Sequence, residues 1–250
     1  MSGARTCIIV PVFNEEKRLT DQLNYWQEVS TLDGVDFIFI NDGSSDKTSN
    51  VLKSILNFRV IDLAINQGKS NAVRHGLNIA ISENFPSVGF IDGDGAISVA
   101  DLRKILSVSR YKFDEGFDSV WGSRVGLAGR NIVRSIRRHW IARFINTILG
   151  LRDGNLPYDT QCGLKIFRNS TKLECALNGN FRTRWFLDIE ILLNSKICKN
   201  EIRIWEEPLT DWSDVKGSKL GGIKATVSIL LEIIVILRRL GNIKRKIKLN

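Results

Sequence analysis

Several absences narrow what this chain does. There is no GxxxxGK[ST], and no GxGxxG follows the first apolar run, which disfavours a phosphate-loop nucleotidase or a dinucleotide enzyme. No internal repeat or low-complexity tract is visible. The four cysteines, Cys7, Cys162, Cys175 and Cys198, are scattered without a CxxC pair and read as reduced thiols of a cytosolic compartment. The N-terminus offers Arg5 and then only the short run Cys7-Ile8-Ile9-Val10, too brief for a signal peptide and better read as a first strand. The C-terminal apolar run Ala225 to Leu237 covers 13 residues and contains Glu232, whereas a membrane span needs about 20. Acidic residues are missing from two stretches: none lies between Arg124 and Arg152, and Glu232 is the only one after residue 223.

What is present is an ordinary globular composition, 43% apolar and 25% charged over 250 residues, enough for a full core. Strand and helix patterns alternate. Apolar strands are expected at Cys7–Val12, Val35–Ile40, Arg59–Leu63 and Val88–Ile91. Helices are expected at Glu16–Val29, capped by Asn14-Glu15-Glu16, from the Asn41–Asp46 turn to about Leu56, and at Asn71–Ser82. Such spacing implies right-handed βαβ crossovers and an α/β fold with a mostly parallel sheet covered on both faces.

Ligands of such sheets bind beyond the carboxyl ends of the strands. Asn14-Glu15, Asn41-Asp42, Gln67-Gly68-Lys69 and Asp92-Gly93-Asp94-Gly95 all fall at those ends, so four polar loops converge on one crevice. In an extended backbone Asp92 and Asp94 point the same way, with no side chain on Gly93 to crowd them. That is a place for Mg2+ or Mn2+, which take hard oxygen ligands from one or two carboxylates and fill the shell with water and substrate phosphates.

These loops carry a resemblance. Pro11-Val12-Phe13-Asn14-Glu15-Glu16, Asn41-Asp42-Gly43-Ser44-Ser45-Asp46, Asn66-Gln67-Gly68-Lys69 with Ala72-Val73-Arg74, and the DXD motif Asp92-Gly93-Asp94 resemble an inverting family 2 glycosyltransferase of GT-A fold. The downstream motifs are Gly122-Ser123-Arg124, Asp159-Thr160-Gln161-Cys162-Gly163-Leu164-Lys165-Ile166-Phe167, Arg184-Trp185-Phe186-Leu187-Asp188-Ile189-Glu190 and Gly217-Ser218-Lys219-Leu220. They are similar to the branch of dolichyl-phosphate glucosyltransferases and polyprenyl-phosphate sugar synthases.

The resemblance implies that Pro11, Glu15 and Asp42 hold the base and ribose of a nucleotide-diphospho-sugar. It also implies that Asp92 and Asp94 hold the metal on its diphosphate. Lys69, Arg124 and Lys219 are candidate phosphate clamps, or plain surface cations. The acceptor decides the rest. A hydroxyl acceptor needs Asp159 or Asp188 as general base. A phosphate monoester, with its second pKa of about 6, brings its own anionic oxygen; Asp159 would then shape a pocket and Asp188 would cap a helix from Asp188 to Asn194.

The basic stretches suggest a surface partner. From Gly129 to Gly150, Ile132-Val133, Ile136, Trp140-Ile141, Phe144-Ile145 and Ile148-Leu149 keep a helical period against arginines, as in an interfacial helix or a core-packed helix with a basic face. In the tail, Lys224, Ser228, Glu232 and Arg239 fall on one stripe at about 100° per residue. The remainder is apolar, suited to a helix half-sunk in a bilayer or packed on a partner, with Arg238-Arg239 and Lys244-Arg245-Lys246 toward anionic headgroups. The resemblance to the eukaryotic glucosyltransferases of this branch, which carry an N-terminal anchor, is expected to break down here, with attachment by another route.

The expectation is a GT-A domain over residues 1–222 with an amphipathic tail over 223–250, peripheral on the cytoplasmic side of a membrane. It would move a hexose, glucose from UDP-glucose, to a polyprenyl phosphate. The alternatives are a soluble glycosyltransferase acting on a hydroxyl, and a non-catalytic nucleotide-sugar-binding or membrane-scaffold protein. A nucleic-acid partner explains the charge but none of the carboxylates.

Overall fold

Short runs rich in Ile, Val and Phe build the central sheet. The computed structural model describes residues 5–133, 147, 156–213 and 223–249. Strands β1 (Thr6–Val12), β2 (Val35–Asn41), β3 (Arg59–Asp62) and β4 (Ser87–Ile91) fall where the apolar pattern places them. Among the described residues the sheet continues through β5 (Ser119–Ser123), β7 (Leu164–Arg168) and β8 (Ile204–Pro208), in the order β3-β2-β1-β4-β7-β5-β8. β7 lies antiparallel to both β4 and β5; the other pairings are parallel. A small second sheet joins β6 (Asn131–Val133) to β9 (Asp211–Ser213).

The period of two along the strands divides the core. Ile8, Val10 and Val12 of β1 and Phe37 and Phe39 of β2 face the layer of α1 (Glu16–Asp21), α2 (Leu23–Ser30) and α5 (Val99–Asp114). Cys7, Ile9, Ile38 and Ile40 face the layer of α4 (Lys69–Ser82), α6 (Thr171–Leu177) and α7 (Leu187–Ile197). A third apolar cluster joins Phe186, Ile189 and Leu193 to Ile233, Ile236 and Leu240 of the C-terminal helix α8 (Ile223–Leu249).

The structure corrects several local expectations. The helix expected at Glu16–Val29 breaks at Gln22, whose side-chain amide donates to the carbonyl of Asp94 at 2.6 Å. Asn14 does not cap α1. It takes a left-handed φ of 50° and accepts from the amide of Ser45 at 2.8 Å, tying the first loop to the second. The helix expected to reach Leu56 is the short α3 (Thr48–Asn50) continued by a π-helical turn over Val51–Ile55. The helix expected from Gly129 begins instead as β6, because Asn131 donates to the carbonyl of Thr210 and the segment pairs with β9; its remainder lies outside the described residues.

Cys175 and Cys198 are not free thiols: α6 and the end of α7 pack side by side and bring them into a disulfide. A reducing compartment therefore cannot be argued from that pair. Cys7 and Cys162 stay buried thiols, pushed up by burial to about 12 and about 11.

Two residues of the tail's polar stripe face the other way from a simple surface helix. Glu232 and Arg239 point into the protein, while Leu230, Leu231 and Ile234 are 51%, 59% and 44% exposed. Among the described residues no helix is long and apolar enough to cross a membrane.

Candidate active site

The parallel strands deliver their loops to one end of the sheet. Pro11 sits near the end of β1 opposite Ile40, and Glu15 follows it, its carboxylate 2.8 Å from Arg18 and its amide donating to Thr48 Oγ1 at 2.8 Å. Asp42, 3% exposed, accepts from the amides of Gln67 and Gly68 at 2.7 and 2.8 Å. Its carboxylate thus shapes the third loop before meeting any ligand. Gly68 holds φ 92°, a conformation that a side chain resists, and a Cβ there would come within 2.9 Å of Arg184 Nε.

Lys69 opens α4 and forms an ion pair with Asp92. Burial opposes its charge, but the carboxylates of Asp92, Asp188 and Asp94 outweigh that, and its pKa is raised. Asp92 is seated by its own amide on the carbonyl of Gly163 at 2.9 Å, and a Cβ on Gly163 would collide with the Asp92 carboxylate. Asp94 accepts from the amide of Ala96 at 3.1 Å. Burial, then the charge of Asp92, push the Asp94 carboxyl above its ordinary range. Gln22 Oε1, against Gly95, is buried without a hydrogen-bond partner.

Two crowded carboxylates and an unsatisfied oxygen fit a hard divalent cation. Among the described residues no cluster of three or more His, Cys, Asp or Glu side chains surrounds a metal position. A cation at Asp92 and Asp94 would thus take further ligands from elsewhere, as diphosphate oxygens and water can supply.

The other two sequence candidates are differently placed. Asp159, 2% exposed, accepts from Arg124 Nε at 2.7 Å, from its terminal nitrogen at 2.8 Å and from its amide at 3.0 Å. Burial works against the Arg124 charge, but Asp159 more than compensates and raises its pKa; the guanidinium also lies 4.9 Å over the Trp212 ring. Glu206 holds the same loop by accepting from the amides of Tyr158 and Asp159. Asp188, in the first turn of α7, does not cap that helix, whose N-cap is Phe186. It pairs at 2.6 Å with Lys165, which is fully buried and also donates to the carbonyls of Thr160 and Cys162. Lys219 and its Gly217–Leu220 motif lie outside the described residues.

Lys165 had a signal that the sequence reading passed over. A lysine inside the apolar run Leu164–Phe167 has to be paired if that strand is buried. A cavity of about 320 Å³ lined by Arg5, Asp36, Arg59, Glu83 and Phe85 opens at the opposite end of the strands, where both arginines are already paired with carboxylates.

A mostly parallel sheet of this order, with a carboxylate-lined crevice at its strand ends, is the GT-A architecture of nucleotide-sugar transferases. The fold superposes on glucosyl-3-phosphoglycerate synthase from Mycobacterium tuberculosis, crystallised with Mn2+, UDP-glucose and phosphoglyceric acid, with a TM-score of 0.70. That match has 17% identity and covers 96% of this chain and 80% of that one. Residues 7–172 match glycosyl transferase family 2, and the chain belongs to that family. It is 31% identical to a dolichyl-phosphate β-glucosyltransferase of Drosophila melanogaster, over 85% of this chain and 68% of the relative. With one of Dictyostelium discoideum it shares 28% identity over 91% of this chain and 72% of the relative.

Proposed function

We propose that this family 2 glycosyltransferase moves glucose from UDP-glucose to a polyprenyl phosphate, with inversion, at a membrane surface. The observation that carries the acceptor class is the state of the two candidate bases. Asp159 and Asp188 are buried, and each is held by its own cation, Arg124 and Lys165. Both oxygens of each are already engaged, those of Asp159 by Arg124 and those of Asp188 by Lys165 and the amide of Ile189, so each is placed as a clamp rather than to receive a hydroxyl proton. A phosphate acceptor needs no such base, because it is largely dianionic at neutral pH. The names of the relatives agree with it.

In this reading Pro11, Glu15 and Asp42 line the nucleoside subsite, with Asp42 acting also through the loop it clamps. Asp92 and Asp94 would hold Mg2+ or Mn2+, which neutralises charge gathering on the leaving diphosphate. Lys69 supplies a second positive charge at the same place. An acceptor phosphate oxygen forms the new bond to the anomeric carbon as the bond to the diphosphate oxygen breaks, and UDP leaves. Lys219 is a further candidate phosphate contact. Arg124 keeps Asp159 in place and forms one wall of the sugar pocket.

Residues 1–222 form the transferase domain in this proposal. The tail of 223–250 attaches it peripherally to an anionic, cytoplasmic-side membrane surface through Leu230, Leu231 and Ile234 and through Arg238 and Lys244-Arg245-Lys246, whereas Arg239 is held inside by Glu190 and Asn194. The direct test incubates the protein with radiolabelled UDP-glucose, Mn2+ and polyprenyl phosphate, then extracts the lipid. Label in an acid-labile glycolipid is expected. Label that stays aqueous, while another nucleotide sugar or a hydroxyl acceptor is used, would overturn the proposal.

A further inference from the structure

The lone acid of the C-terminal apolar run has no role in the reading above, yet its surroundings are specific. Glu232 is 8% exposed, and its Oε2 accepts from the amides of Arg184 and Trp185 at 3.1 and 3.2 Å. Those amides lie just before the Phe186 N-cap of α7, outside the helix's own hydrogen bonds, and need partners from elsewhere. The neighbouring amides of Arg182 and Thr183 are taken by Glu190, on which Arg239 of the same C-terminal helix sits. Residues 182–185 are therefore pinned by two carboxylates, one from α7 and one from α8.

The pinned segment leads straight to the donor loop. The carbonyl of Arg184 accepts from the amide of Ser70 at 2.9 Å, in the first turn of α4. The Arg184 guanidinium bonds Asn66 Oδ1, and its aliphatic stem packs on Gly68 so closely that it leaves no room for a Cβ there. Asp42 grips the same loop from the other side through the Gln67 and Gly68 amides. Lys69 then extends from it to Asp92.

We propose that Glu232 is a positioning residue for the reaction: from the tail helix, through Arg184, it sets the Asn66–Ser70 loop and so the place of Lys69 at the diphosphate. The proposal rests on the reading of that loop as part of the donor site. It gives a role to the carboxylate on the inward face of that helix, where burial raises its pKa.

The test compares full-length Glu232→Ala, Glu232→Gln and Ile236→Ala by amide hydrogen exchange and steady-state kinetics. Ile236 is fully buried in the same helix contact but, being apolar, cannot accept from any of the pinned amides. Glu232→Ala should speed exchange at Trp185 and Ser70 and raise the donor KM about tenfold, with a smaller change in the acceptor KM. Glu232→Gln retains an acceptor oxygen and should recover most of both. Ile236→Ala should lower the melting temperature and leave the Ser70 exchange and donor KM near wild type.

If folded Glu232→Ala keeps wild-type exchange at Ser70, or if Ile236→Ala reproduces its whole pattern, Glu232 merely fastens the tail and the proposal is overturned. Faster Ser70 exchange with an unchanged donor KM would overturn the donor assignment of the loop while leaving the connection from Glu232 to Ser70 standing.

Discussion

Asp92 and Asp94 lie side by side around a single lysine, whereas Asp159 and Asp188 each hold a buried cation of their own. The first pair comes from one strand end, so its charges are crowded and Asp94 is pushed toward protonation. The second pair sits on a loop and a helix where Arg124 and Lys165 arrive from distant sequence. Crowded carboxylates gain from a cation that is brought in. Neutralised ones fix geometry. The molecule thus keeps unbalanced negative charge where the donor diphosphate would bind and almost none where an acceptor proton would have to be taken.

The comparison breaks most visibly in turnover. Asp92→Ala or Asp94→Ala should cost on the order of 10²-fold or more in kcat, and a chelator should abolish the remaining metal-dependent rate of the parent protein. Initial rates with and without added Mn2+ check this. Full turnover of Asp94→Ala in a chelator would remove the cation from the account.

Stability gives the complementary result in the other region. Lys165→Met strands the Asp188 carboxylate in the core and should lower the unfolding free energy by about 3–5 kcal/mol. Adding Asp188→Leu should restore much of that loss. Urea unfolding of the single and double variants measures both steps. A harmless single variant would mean that Asp188 is not held by Lys165 and is free to act as a base.

The smallest effect sharpens the contrast. Burial and Asp92 raise the folded-state pKa of Asp94, so the proton on Asp94 favours the folded metal-free protein. That contribution is full below the unfolded carboxyl range and is lost as pH rises through the raised value. Asp94→Asn should therefore melt higher than the parent at neutral pH in chelator, with the difference closing as pH falls. Thermal melts across the acidic range test it, and a variant that melts lower at neutral pH would contradict the crowding.

Which of these features the sequence displays follows from distance along the chain. Strands β1 to β4 and the DXD end are local patterns, and a period of two reports them directly. The insertion of β7 antiparallel between β4 and β5 has no local signature, because Leu164–Arg168 reads only as a strand. The Arg124–Asp159 and Lys165–Asp188 pairs join residues 35 and 23 positions apart, so their candidates were visible as residues but not as partners. The Cys175–Cys198 disulfide was misread for the same reason. Glu232 was visible as an oddity in an apolar run; that it faces inward depends on α7, which helical periodicity cannot see.

In the proposed mechanism the acceptor, and not the protein, carries the group whose ionisation limits the reaction. Rate against pH with polyprenyl phosphate and with an acceptor analogue of lower second pKa, such as a fluorinated phosphonate, tests it most directly. An acid limb near the phosphate's second pKa of about 6, moving down with the analogue's pKa, is expected. An acid limb that stays fixed when the acceptor changes, and disappears in folded Asp188→Asn or Asp159→Asn, would contradict it.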